Sequence, residues 1–187
     1  MNQTKLITPV YPYFGCDPEI FFTRDGQVIG AERVIPEAGL QKGNFRCLVL
    51  DGVQAEFHTY PYRSASDIGS SLATSFRTLK AHLSTLKDSK IEVCFKGVVE
   101  VDKDELASLS EQARILGCMP SLNMFDADTS VDVDVSTYRK RSAGGHIHVD
   151  LVNGYHTYSD QSQHPSLVPI LDTILGNTAV LIDRDPA

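Results

Sequence analysis

The pattern of hydrophobic and polar positions changes its period several times along the chain. Residues 19–23, Glu-Ile-Phe-Phe-Thr, are apolar and aromatic and predict a strand. Arg24-Asp25-Gly26-Gln27 follows as a hairpin turn, and 28–35 is expected to return as its partner. The apolar run 46–50 ends at a second Asp-Gly turn, and 53–60 reads as another strand, stopped by Pro61. The spacing then becomes helical. Ile68, Leu72, Phe76, Leu79, Leu83 and Leu86 recur on one face behind Ser64 as N-cap, with Asp67 as its capping-box partner. Residues 91–95 alternate as a strand that can continue to Val101 past Gly97.

A second helix is expected over 104–116, with Leu106, Leu109, Ala113 and Leu116 facing in and Gly117 as its C-cap. Residues 119–138 are polar and Asp-rich and read as a long loop, 146–152 as a strand, and 167–182 as an apolar last helix. Strands joined by hairpins, without regular βαβ alternation, predict an α+β fold: a largely antiparallel sheet with helices packed on one face. No internal repeat or linker divides the 187 residues, so a single domain is expected over 1–187.

Charge narrows the functional classes. Seventeen basic against 24 acidic residues give a net charge of −7, and Arg139-Lys140-Arg141 is the only basic cluster. Nonspecific nucleic-acid binding, which depends on clustered cations, is disfavoured. No apolar run approaches the roughly 20 residues a membrane helix needs. The first residues lack a signal-like apolar core, so a cytoplasmic location is expected. The four cysteines show no CxxC spacing and read as buried free thiols.

The chemistry concentrates around residues 141–150, Arg-Ser-Ala-Gly-Gly-His-Ile-His-Val-Asp. On a strand, i and i+2 share a face, so His146, His148 and Asp150 point one way. Ile147, Val149 and Leu151 point the other, onto the expected core. Two imidazoles and a carboxylate on one face suit a cation. Gly144 and Gly145 let backbone approach a ligand closely, and Arg141 suits a phosphate or carboxylate. The same alternation groups Asp17 with Glu19 and Phe21, and Gln54 with Glu56 and His58. Carboxylates in such apolar strands are costly unless paired or metal-bound. The acidic stretch 126–132 lacks the glycine and closing glutamate of a calcium loop and reads as solvated. His82 reads as a surface residue of the first helix, and His156 and His164 sit in a polar loop without evident partners.

Four motifs in order, Gly15-Cys-Asp-Pro-Glu19, Asp51-Gly-Val-Gln-Ala-Glu56, Gly117-Cys-Met-Pro120 and Arg141-Ser-Ala-Gly-Gly-His-Ile-His148, together resemble the phage carboxylate–amine ligases. These are amidoligases of the glutamine synthetase and γ-glutamylcysteine synthetase superfamily. The resemblance spans roughly residues 14–185. It implies a glutamine-synthetase-like sheet holding ATP and Mg²⁺ or Mn²⁺. A carboxylate is phosphorylated there and an amine attacks the acyl phosphate. It further implies that Glu19, Glu56 and His146 are metal ligands and Asp17 a further ligand or a group behind one. His148 would contact phosphate, beside Gly144 and Gly145, and Arg141 would steady phosphate or substrate carboxylate. Relatives continue with further Arg and Glu residues beyond the point where this chain stops. Three alternatives are therefore carried forward: a complementary C-terminal polypeptide, a truncation, or a chain that has lost catalysis and keeps a structural or interaction role. A homo-oligomer and a metal-dependent hydrolase using the same residues are also open.

Overall fold

The computed structural model describes residues 12–88, 90–115 and 138–150. The Gly117–Pro120 motif, the 126–132 stretch, His156, His164, the expected helix 167–182 and the side chain of Asp150 lie outside the described residues. Among the described residues the fold is α+β with antiparallel strand pairing throughout.

The central sheet is built from hairpins. β2 (Glu19–Arg24) turns into β3 (Gln27–Ile29). The turn residues Asp25 and Gly26 have φ of 50° and 79°, the left-handed pair that an Asp-Gly hairpin needs. The returning strand is shorter than 28–35. It ends at Ile29 and passes through Gly30 into a 3₁₀ turn, Ala31–Arg33. A Cβ at Gly30 would lie 2.5 Å from the Leu109 side chain, so Leu109 packs directly over this glycine. β4 (Leu40–Lys42) pairs with β5 (Phe45–Asp51), and β5 turns at Gly52 into β6 (Gln54–Phe57), which pairs back onto β2. A further strand, β7 (Ile91–Cys94), also pairs with β2.

Alternation splits this sheet into two faces, and each meets a different helix layer. Ile20, Phe22, Leu48, Ala55 and Phe57 join one cluster, against which α1 (Ala65–Thr85) lays Leu72, Phe76, Leu79 and Leu83. Phe57 and Phe76 have ring centroids 4.3 Å apart. The expected N-cap forms: the Ser64 side chain accepts from the amide of Asp67. His82 is half-buried rather than on the surface, and its Nε2–H donates to the Val34 carbonyl at 2.7 Å.

Phe21 points to the opposite face. It joins Val53, Val99, Val101, Leu106, Leu109 and Ala113. The expectation of helices on one face thus holds for α1 alone. The period-2 strand β2 buries Phe21 and Phe22 on opposite sides, so both sides need cover. The expected helix 104–116 is two short ones on that second face, α2 (Lys103–Ser108) and α3 (Glu111–Arg114). Ser110 divides them, because its side chain accepts from Ala113 N–H and starts a new helix rather than continuing the old one. Residues 91–101 likewise form two strands, β7 and β8 (Val98–Glu100).

Two ribbons complete the described structure. β8 pairs with β9 (Lys140–Ser142), and β1 (Tyr13–Cys16) pairs with β10 (Ile147–Asp150). Ile147 and Val149 are 70% and 45% exposed, which corrects the expectation that they face the core. β10 pairs with β1 outside the central sheet, so its apolar side has no described layer beneath it.

Candidate metal centre

The site forms where two broken strands run side by side. β1 and β2 are interrupted at Asp17-Pro18, and β9 and β10 at residues 143–146. Antiparallel bonding continues across the breaks: the Asp17 amide donates to the His146 carbonyl at 3.4 Å and the Glu19 amide to the Gly144 carbonyl at 3.0 Å. Gly145 is fixed by this approach, since a Cβ on it would sit 2.9 Å from Pro18 Cα. The absence of a side chain at this glycine lets the two backbone segments come together. A Cβ at Gly144 would meet open space. The Gly144 amide donates to Glu19 Oε2 at 2.9 Å, not outward.

Asp17 is the centre of the cluster. It is 8% exposed. One carboxylate oxygen accepts from the His146 amide and lies 3.4 Å from His146 Nδ1; the other accepts from His148 Nε2–H at 2.6 Å. Burial alone would raise this carboxyl's pKa. The His148 hydrogen bond, the His146 amide and the charges of both imidazoles outweigh burial and hold it below the ordinary value.

Glu56 comes from the neighbouring strand. β2 and β6 are registered so that Glu19 stands opposite Glu56, and β5 and β6 so that Asp51 stands opposite Gln54. Directly opposed residues project from the same face, so these four gather on one side. Glu19 Oε2 is held by Gln54 Nε2 at 3.1 Å as well as by Gly144. Glu56 Oε2 accepts from His58 Nε2–H at 3.1 Å. Burial pushes Glu56 up, the His58 contact opposes it, and the charges of Asp17 and Asp51 push the same way as burial. Asp51 is also raised, by burial first and then by Glu19 and Asp17.

Asp17, Glu56 and His146 each offer a ligand atom, and the three atoms lie within 4.8 Å of one another. Of the expected ligands, Glu56 and His146 therefore converge with Asp17. Glu19 stands beside them with one oxygen committed to the protein, and His148 is behind the set, bonded to Asp17. The arrangement of two carboxylates and an imidazole, with histidines bonded to both carboxylates, is that of ligands with orienting partners. Asp51 was missed as a site residue because its Asp-Gly sequence already explains a turn. Its place opposite Gln54 depends on the β5–β6 register, which the sequence does not print.

Arg141 goes elsewhere. It is 2% exposed, and its guanidinium donates to the main-chain carbonyls of Tyr138, Lys140 and Arg114. In this structure it ties β9 to the end of α3 and does not open onto the carboxylates. The reason is again alternation: Val99 and Arg141 are opposed in the β8–β9 ribbon, and both face inward.

No protein-family model, no curated protein and no solved structure matches this chain. Among the described residues no helix is long and apolar enough to cross a membrane.

Proposed function

We propose that Asp17, Glu56 and His146 bind a divalent cation, and that the chain uses it in ATP-dependent carboxylate–amine ligation on a glutamine-synthetase-like sheet. The observation that carries the cation is the 4.8 Å clustering of three ligand atoms from separate segments of the chain, and the ligation chemistry follows from the resemblance of the four sequence motifs. Four carboxylates crowd that face, and two have raised pKa values. A hard cation neutralises such a cluster, and Mg²⁺ or Mn²⁺ suits a donor set of carboxylate oxygens with one imidazole.

Phosphoryl transfer to a carboxylate is mainly positioning and charge neutralisation, which a bound cation supplies. In this reading Asp17, Glu56 and His146 hold the ion and Glu19 stands in reserve beside it. His148 orients Asp17, and its exposed ring remains available to an incoming phosphate. Arg141 is not among the groups that touch ligand.

The same observation about Arg141 favours a second reading, cation-dependent hydrolysis, in which no arginine clamp on phosphate is required. The two are separated by following ADP release from ATP with Mg²⁺, supplying carboxylates and amines in combination. ADP formed only when both substrates are present, and lost in Glu56→Ala, is the result expected of a ligase. Hydrolysis of amide or ester substrates without nucleotide, lost in the same variant, would replace the ligase with the hydrolase.

A further inference from the structure

The candidate metal centre has a neighbour that the ligand set does not use. Beside Asp17 lies a cavity of about 420 Å³, within the size range of small-molecule sites. Its lining is mostly apolar. Tyr13, Phe45 and Pro61 supply apolar wall, and Asp17, His58 and His148 also line it. The walls are braced from outside the cavity: Phe45 stacks on Tyr60 at 3.9 Å between ring centroids, and the Arg63 guanidinium lies 4.5 Å from the Tyr13 ring centre.

Asp17 belongs both to this wall and to the cation ligands, and His58 joins the wall to Glu56. A group bound in the cavity therefore lies against one of the ion's ligands. Three protein ligands leave open positions on Mg²⁺ or Mn²⁺, and those positions take oxygen. The apolar walls favour a flat or bulky hydrocarbon body over a charged one.

We infer that this cavity is the subsite for the side chain of a carboxylate substrate that carries an aromatic or comparably bulky apolar group, its carboxylate oxygen directed to the cation. The inference rests on the cation-binding reading above and names the substrate class for that same site.

The test uses the whole chain loaded with Mn²⁺, with 3-phenylpropionate and propionate as probes. Phenylpropionate is expected to bind about tenfold or more tightly than propionate, from burial of the ring. Two variants address the cavity. Gly15 lines it, and a Cβ there would make only ordinary contacts, 3.6 Å to Thr59 Oγ1 and 3.8 Å to His148 Cβ. Gly15→Val therefore fills the cavity, whereas Phe45→Ala removes a wall. Both are expected to abolish the preference for phenylpropionate while keeping Mn²⁺ affinity. Equal binding of the two acids to the Mn²⁺-loaded chain overturns the inference alone, as does a preference that survives both variants. Tighter binding of adenosine monophosphate at the same place also overturns it, assigning the cavity to a nucleotide. Failure of the unaltered chain to bind Mn²⁺ overturns the cation reading and this inference with it.

Discussion

Asp17 and Glu56 are neighbouring carboxylates with opposite effects on stability. The folded pKa of Asp17 is lowered, so its charged form contributes stability that is fully present above the ordinary carboxylate pKa. That contribution is lost as pH falls through the lowered value. Glu56 and Asp51 have raised pKa values, so they cost stability above those values, and the cost disappears as pH falls below the ordinary range. Thermal melts of the metal-free protein at pH 7 should show this as a sign difference. Glu56→Gln is expected to raise Tm by about 2–4 °C, the equivalent of about 1 kcal/mol in a chain of this size. Asp17→Asn is expected to lower Tm by a similar amount or more, because it removes the charged acceptor of two donors. Near pH 4 the gain from Glu56→Gln should shrink towards zero. Equal and same-signed shifts in the two variants would contradict this electrostatic picture.

At the scale of elements, the regular pieces were legible and the breaks between them were not. The Ser64 cap, the α1 stripe and the Asp25-Gly26 turn each depend on residues within a few positions of one another, so the sequence prints them. The division of 104–116 at Ser110 was hidden, because Leu106, Leu109 and Ala113 keep an inward face on either side of it. β1 and β9 were also missed. Each is short and polar or mixed, and each exists because a distant strand pairs with it. The candidate site depends on those breaks. Period-2 alternation linked His146 with His148 and Gln54 with Glu56, but it said nothing of which strands stand side by side. It also assigned Ile147 and Val149 to a core they do not reach. The Gly145–Pro18 crossing is the element-level feature that seats His146. Gly145→Ala forces a Cβ to within 2.9 Å of Pro18 Cα, so backbone must move. Destabilisation of about 1–3 kcal/mol is expected from that overpacking, with weakened cation binding beside it. An alanine variant with unchanged Tm and unchanged Mn²⁺ affinity would show that the crossing does not position the histidine.

For the molecule as a whole, the sheet is a partition. Among the described residues, α1 covers one face; α2, α3 and the β8–β9 ribbon cover part of the other, and Glu19, Asp51 and Glu56 project from that second face. Arg141 fastens the ribbon to this layer through the Arg114 carbonyl, and its other donors go to the nearby carbonyls of Tyr138 and Lys140, so in this structure its contacts are architectural. Arg141→Met should leave those carbonyls without their charged donor and cost about 3 kcal/mol, or about 6–12 °C in Tm, with Mn²⁺ binding retained in the folded protein. Loss of binding without loss of stability would return Arg141 to the ligand-contacting set.

The central claim is that Asp17, Glu56 and His146 hold one divalent cation between them. The most direct measurement is a Mn²⁺ titration of the full chain followed by electron paramagnetic resonance, repeated on Asp17→Asn, Glu56→Gln and His146→Ala. The account requires saturable binding to the unaltered chain and its loss or steep weakening in each of the three folded variants. Binding that is absent from the unaltered chain, or that survives Glu56→Gln undiminished, would contradict it.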